Sequence, residues 1–393
     1  MPGGKLLTPR LGAFALGVIG LLVILTALVV LPSSAGFGYD FRAYELAARR
    51  LASGVALYPP GTADAHNQGA YADLYLYPPP LAVLLIPITL LGTGAVTTWF
   101  VGRLILLALG CALLPVRREV RIATFGVAML SFPVLYDLNL GNLSIVLFAL
   151  SAVVWRWLDR PLGSVALAAI LAVRYPFAVV LIGWLARGRP RSVAWVVIWG
   201  LVIIGLTLPI VGIAGYVDYV TILRGLGDIS TGPHNLSLAT TLEAIGVGQS
   251  VARFAVPVGI IFAVAVTVLA ARRRDAEVAL VAAFTSALLF GPFFHPHYLV
   301  GLLLPAALLA DRGWWLALGL PLLGWLPGEI LPVVAVVASL ATLWAPSAAH
   351  EHGGRRVSEG EPPPRILGDE RQQAGLLIGT GDDGLGAPAI ENR

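Results

Sequence analysis

The sequence predicts an all-α polytopic membrane protein with about 12 transmembrane helices and a large first extracytoplasmic loop. Apolar residues make up 58% of the 393 positions, and charged residues only 12%. That is about half the share usual in a soluble domain. Mean hydropathy is +0.84. The basic residues gather between long apolar runs, as membrane topology requires, and not in one basic stripe for nucleic acid. No nucleic-acid partner is expected at a net charge of +4. Cys111, the only cysteine, excludes an intrachain disulfide and a cysteine-built metal or iron–sulfur site.

The basic clusters act as cytoplasmic anchors. They are Lys5 with Arg10, Arg117/Arg118/Arg121, Arg156/Arg160, Arg187/Arg189/Arg191, Arg272/Arg273/Arg274, Arg312 and Arg355/Arg356. Residues 1–10 form a cytoplasmic N-terminus. The run 11–31 is about 21 residues, longer than a signal-peptide core and long enough to span. A first external loop covers 32–80. The segment 81–91 is short and holds Pro87, so it reads as interfacial or re-entrant, and 93–115 then crosses inward. The runs 121–136 and 142–155 cross out and back. One crossing over 162–184 would strand Arg187, Arg189 and Arg191 outside, so Arg174-Tyr175-Pro176 is read as a break between two short helices. After 193–213, a second external loop covers 214–250. The runs 251–271, 278–293, 298–310, 314–326 and 330–344 complete the membrane domain of 11–345, with both ends cytoplasmic. Residues 346–393 carry Pro362-Pro363-Pro364, many charges and few aromatics, and are predicted to be a disordered cytoplasmic tail.

With topology set by the basic clusters alone, the remaining polar features fall on the outer side. They are Asp40, the elbow Tyr75-Leu76-Tyr77-Pro78-Pro79-Pro80, residues 137–142, Arg174-Tyr175-Pro176, His234-Asn235, and His295-Pro296-His297. One shared outer cavity is therefore expected. Asp40 opens an amphipathic helix with Phe41, Tyr44, Ala48 and Leu51 on its apolar side. It reads either as that helix's N-cap or as a general base at the membrane edge. Arg174 interrupts an apolar run, where charge is costly and usually functional. It suits phosphate, or it snorkels, or it pairs with a carboxylate such as Asp137. The two histidines at 295 and 297 suit hydrogen bonding or proton relay. With Asp40 they also make a weak three-ligand pattern, and no metal is expected. The elbow either re-enters the membrane or shapes a site. The glycosylation patterns at Asn142 and Asn235 are discounted, because an arginine-rich, lysine-poor chain points to a bacterial genome.

Taken in order, Asp40-x-x-x-Tyr44 with Ala47, Leu51-x-x-Gly54 and Tyr58, the 75–80 elbow, Gly141-Asn142, Arg174-Tyr175-Pro176, Asn235-x-Ser237-Leu238 and His297-Tyr298-Leu299 resemble glycosyltransferase family 87, of the GT-C superfamily. Arginine stands at 174 where the family often has lysine, and asparagine at 142 where it often has glutamine. The resemblance implies a GT-C-like fold and inverting transfer of a hexose, mannose first, from a polyprenyl-phosphate donor. The acceptor would be an envelope glycolipid or glycan, and the site would lie on the extracytoplasmic face of the cell membrane. It implies Asp40 as catalytic base, with Tyr44, Tyr77, Asn142, Arg174, His234, Asn235, His295 and His297 at the substrates. Arg174 with His234 or His297 would stabilise the leaving phosphate. No cofactor is expected, since the lipid-linked sugar is a substrate. Two other classes stay open on the residues: a secondary transporter or lipid flippase, and a non-catalytic envelope scaffold.

Overall fold

The computed structural model describes residues 9–69, 73–227 and 235–346. His234 and positions 347–393 of the expected tail lie outside these residues. The described chain is helical and contains no strand.

Among the described residues, four helical stretches are long and apolar enough to cross a membrane: Pro9–Ser33, Gly92–Leu113, Pro190–Gly225 and Gln249–Arg273. A fifth arises if Arg118–Leu130 and Phe132–Leu140, bent by 64°, form one broken span. Eight further apolar helices have only 10–17 residues. The chain is thus an all-α protein with several membrane helices.

Proline explains much of the shortness. It cannot donate a backbone N–H and its ring blocks the preceding turn, so it favours helix starts. Among the described residues proline sits at the first or second position of six α-helices: Pro9–Val30, Pro79–Thr89, Phe132–Leu140, Pro161–Leu171, Pro190–Gly225 and Leu331–Leu343.

In chain order the helices are α1 (Pro9–Val30), α2 (Tyr39–Ala52), α3 (Thr62–Asn67), α4 (Pro79–Thr89), α5 (Ala95–Leu113), α6 (Arg118–Leu130), α7 (Phe132–Leu140), α8 (Ser144–Arg156) and α9 (Pro161–Leu171). Then follow α10 (Val179–Ala186), α11 (Pro190–Gly225), α12 (Leu238–Ala244), α13 (Gln249–Ala252), α14 (Ala255–Arg273), α15 (Ala276–Ser286), α16 (Leu303–Asp311) and α17 (Leu331–Leu343).

The break expected at Arg174 is present. α9 ends at Leu171, a 3₁₀ turn covers Tyr175–Ala178, and α10 follows. α11 runs through Gly225, past position 214 where the sequence places the second loop. It kinks at Gly212, whose φ of 72° and ψ of 166° are not helical. The run 121–136, read as one crossing, is bent between α6 and α7. Ser131 is extended there (φ −87°, ψ 134°), and Pro133 restarts the helix. Residues Trp315–Trp325 form 3₁₀ rather than α-helix, with Pro321 inside.

The largest core cluster joins α5, α6, α8, α9, α15 and α16. A second cluster packs α2 and α4 around Tyr44, Tyr58 and Tyr75, and takes in Leu143 and Ile222. α2 buries Phe41, Ala43, Tyr44, Ala47 and Ala48 along one side, as its apolar spacing requires. On the other side Glu45 and Arg49 pair at i, i+4 spacing, 2.6 Å apart.

Candidate active site

α2 begins behind Gly38, which takes the left-handed conformation (φ 71°) and offers no side-chain cap. Asp40 therefore lies inside the first turn and is not the N-cap. Its carboxylate is turned instead to the junction of α7 and α8, where Asn142 Nδ2 donates to Asp40 Oδ2 at 2.8 Å. Burial raises the Asp40 carboxyl above its ordinary value. The Asn142 hydrogen bond and the charges of Arg103 and Arg174 pull it back.

Asn142 is placed by a tight turn. α7 ends at Gly141, left-handed at φ 84°, where a Cβ would meet the Phe41 Cβ at 2.6 Å. Only glycine allows α2 to approach this closely. The Asn142 Oδ1 accepts from the Leu143 amide at 2.6 Å, and this fixes which end of the side chain faces Asp40. Asn142 Nδ2 also lies 3.4 Å from the Tyr77 hydroxyl.

The 75–80 elbow is fastened by its own aromatics. Tyr75 Oη donates to the Pro78 carbonyl at 2.7 Å and accepts from the Ala82 amide at 3.1 Å. Tyr58 Oη donates to the Tyr77 carbonyl at 2.7 Å. Tyr44 packs edge-on against Tyr77, ring centroids 5.1 Å apart. These contacts aim the Tyr77 ring into the site.

Arg174 leaves α9 in extended conformation, and its amide donates to the Ile170 carbonyl at 2.7 Å. Its guanidinium lies 3.8 Å from the Tyr298 ring centroid and 6.0 Å from that of Tyr77. Among the described residues no carboxylate forms an ion pair with it. Asp137 in particular is taken by Arg103, at 3.2 Å between Nη1 and Oδ2.

This second arginine was not singled out from the sequence. Arg103 sits in the middle of α5 and is 1% exposed, while Asp137 is 0% exposed. A charge inside a 19-residue apolar helix was itself the available signal.

The histidine segment comes from the other end of the chain. Asn235 Nδ2 donates to the Pro292 carbonyl, and Asn235 Oδ1 accepts from the Phe294 amide. Both ends of this side chain are spent on backbone, so Asn235 braces the strand-like approach to His295. The His295 and His297 rings stack at 5.4 Å, and Tyr136 lies 6.1 Å from His297. His297 is 4% exposed, and neither ring nitrogen has a hydrogen-bond partner among the described residues. Such a buried imidazole costs stability unless something else satisfies it. Among the described residues, Asp40 and the two histidines do not come together as a metal-ligand set.

The elements described above enclose one cavity of about 780 Å³. Asp40, Tyr44, Tyr77, Asn142, Arg174, Asn235, His295 and His297 line it together. Tyr39, Tyr136, Tyr219 and Tyr298 add further hydroxyls. Deeper in, Leu147, Phe148, Phe177, Phe284 and Leu304 give an apolar wall. A volume in this range suits a ligand of several hundred daltons that is polar at one end and apolar at the other. Among the described residues, the site therefore combines a carboxylate, a cation without an ion-pair partner and the two unsatisfied ring nitrogens of His297, within a helical membrane protein.

Comparison with known families gives the class of protein. The model of glycosyltransferase family 87 matches residues 75–296, and the chain belongs to this family. It is a glycosyltransferase, and so takes a sugar donor and an acceptor. The matched stretch holds Tyr77, Asn142, Arg174, Asn235 and His295, while Asp40 precedes it and His297 follows it. No curated protein and no solved structure matches the chain.

Proposed function

We propose that the enzyme transfers a hexose, mannose first, from a polyprenyl-phosphate donor to an envelope glycolipid or glycan acceptor, with inversion. In this reading Asp40 accepts the proton of the acceptor hydroxyl. The hydroxyl oxygen forms a bond to the anomeric carbon while the bond from that carbon to the phosphate oxygen breaks. The electron pair leaves with the phosphate. One displacement, with no enzyme-bound sugar, inverts the centre. Arg174 lies ready for the charge that grows on the phosphate, as a cation with no ion-pair partner among the described residues. His297 supplies a neutral or protonated imidazole beside it, and His295 stacks on that ring. Tyr44 and Tyr77 flank the sugar, and Asn142 orients the base. Asn235 serves this site by bracing 292–294. His234 is proposed at the substrates from the resemblance alone.

The observation that carries the reading is the opening of Asp40 and Arg174 into one cavity that also has an apolar wall. A lipid-linked donor needs a charged end and an oily end in the same pocket. We place this chemistry on the extracytoplasmic face of the plasma membrane, with both chain ends in the cytoplasm and about 12 crossings. The external loops are proposed at 32–80 and 214–250, the membrane domain at 11–345 and the tail at 346–393.

The test is transfer from radiolabelled polyprenyl-phosphate mannose to a lipid extract, with membranes holding the wild-type or the Asp40→Asn protein. Labelled product from wild type alone is expected, at equal protein levels. Product from both would remove Asp40 as base. Product from neither, with a competent extract, would count against this donor.

A further inference from the structure

The carboxylate proposed as base is held by one side chain, Asn142, and the turn that carries Asn142 is itself held from α5. Arg103 Nη1 donates to the carbonyl and to Oδ2 of Asp137, and lies 3.4 Å from the Asn142 carbonyl. Its Nη2 donates to the Leu138 carbonyl at 2.9 Å. One turn earlier, Trp99 Nε1 donates to the Gly141 carbonyl at 2.8 Å. The Trp99 ring stacks on Phe41, centroids 5.5 Å apart and planes 18° from parallel. Phe41 adjoins Asp40, and Gly141 adjoins Asn142. α5 thus touches both halves of the Asp40–Asn142 hydrogen bond without reaching the cavity, since neither Trp99 nor Arg103 lines it.

We propose that Trp99 and Arg103 are positioning residues that set the geometry of the Asn142–Asp40 hydrogen bond. This rests on Asp40 being the base. At the end of α7 the Asp137 carbonyl already accepts from the Gly141 and Asn142 amides. The arginine adds a donor to it and one to the Leu138 carbonyl, and the indole takes the Gly141 carbonyl just beyond the helix. A buried guanidinium with carbonyl partners and a paired carboxylate is rigid, because moving it would leave several polar groups unmet. That rigidity passes through Gly141 to Asn142. The Phe41 stack keeps α2 in register with the same anchor.

The experiment is a double-mutant cycle in the transfer assay, read as kcat and KM, with thermal stability of each purified protein measured alongside. Trp99→Phe keeps an aromatic ring on Phe41 and deletes the bond to Gly141. It is expected to lower kcat about fivefold with KM little changed, as the loss of one directed hydrogen bond predicts. Arg103→Gln is expected to lower kcat by about 100-fold, the scale of a misplaced catalytic group. In an Asn142→Ala background, where no bond remains to be set, Trp99→Phe is expected to change kcat by less than about twofold. Should Arg103→Gln not fold, the tryptophan cycle decides alone. An unchanged kcat for Trp99→Phe, or its full cost repeated in the Asn142→Ala background, overturns the proposal. Asp40→Asn is assayed in parallel. Full activity there removes the base itself, whereas inactivity with an additive tryptophan effect removes only the positioning role.

Discussion

At the scale of single residues, the chemistry turns on how two charges are treated. Asp40 is partly buried, and its carboxyl is raised by that burial. The Asn142 N–H and two arginine charges, on Arg103 and Arg174, offset part of the rise. The Asp137 carboxylate and the hydroxyls of Tyr39, Tyr44, Tyr77, Tyr136 and Tyr298 share the same field. A base works when ionised, so transfer must fall as pH drops through the Asp40 pKa. Because that pKa is raised, the fall begins above the ordinary carboxylate range of about 4. Asn142→Ala removes the hydrogen bond that lowers it. The acid limb of kcat/KM is then expected to move to higher pH, and an unmoved limb would count against Asp40 as the titrating group. Arg174 has tyrosine rings beside it and, among the described residues, no carboxylate in ion-pair contact. Arg174→Ala is expected to cost about 100- to 1,000-fold in kcat, and Arg174→Lys markedly less, since a cation at the phosphate is retained. Equal losses for both would mean that the flat guanidinium, and not its charge, is what the donor needs.

Asp40 also shows the limit of reading a cap from spacing. An aspartate ahead of an apolar-periodic stretch fits both a cap and a base. The left-handed Gly38 takes the cap position here and frees the carboxylate. Nothing in the residue order separates those outcomes, because both satisfy the same helical pattern.

Among the helices, the decisive feature is the seam where α2 lies across the end of α7. Gly141 has φ 84°, and a Cβ there would meet Phe41 Cβ at 2.6 Å and Phe41 N at 3.1 Å. Gly141→Ala adds left-handed strain of about 1 kcal/mol to a clash that backbone must absorb. It is expected to lower thermal stability and to lower kcat further than that loss explains, as α2 shifts with Asp40. A variant that loses activity no more than stability predicts would separate the seam from the site. The exposed Glu45–Arg49 pair gives the contrasting control. Glu45→Gln is expected to alter stability by less than about 0.5 kcal/mol, with transfer unchanged.

The helix breaks were legible to different degrees. The Arg174-Tyr175-Pro176 break could be read, because three arginines at 187, 189 and 191, expected in the cytoplasm, argued against a single crossing. The α6–α7 bend could not, because the next basic cluster, Arg156/Arg160, is satisfied by an out-and-back pair whether or not the outward run is bent. Its cause, an extended Ser131 ahead of Pro133, is a local backbone choice. The 3₁₀ pattern of Trp315–Trp325 is a matter of hydrogen-bond partner and leaves little trace in an apolar run.

For the whole molecule, the site is an assembly of distant segments. Residues 40, 77, 142, 174, 235, 295 and 297 meet in one cavity. Their convergence was legible because the basic clusters sorted them to one side. What was not legible is the support beneath them. Arg103 was passed over as one charge in an apolar helix, since its value depends on Asp137 and on the end of α7. Pairing across 34 positions has no signature in a single sequence.

The central claim is that Asp40, Arg174 and the histidine segment share one cavity on the outer side of the membrane. Single cysteines at Asp40 and at His295, each in a Cys111→Ala background, test it with a membrane-impermeant maleimide applied to intact cells. Both positions are expected to label from outside, and both to be protected by added polyprenyl-phosphate mannose. Labelling of the two positions from opposite sides of the membrane would contradict the account.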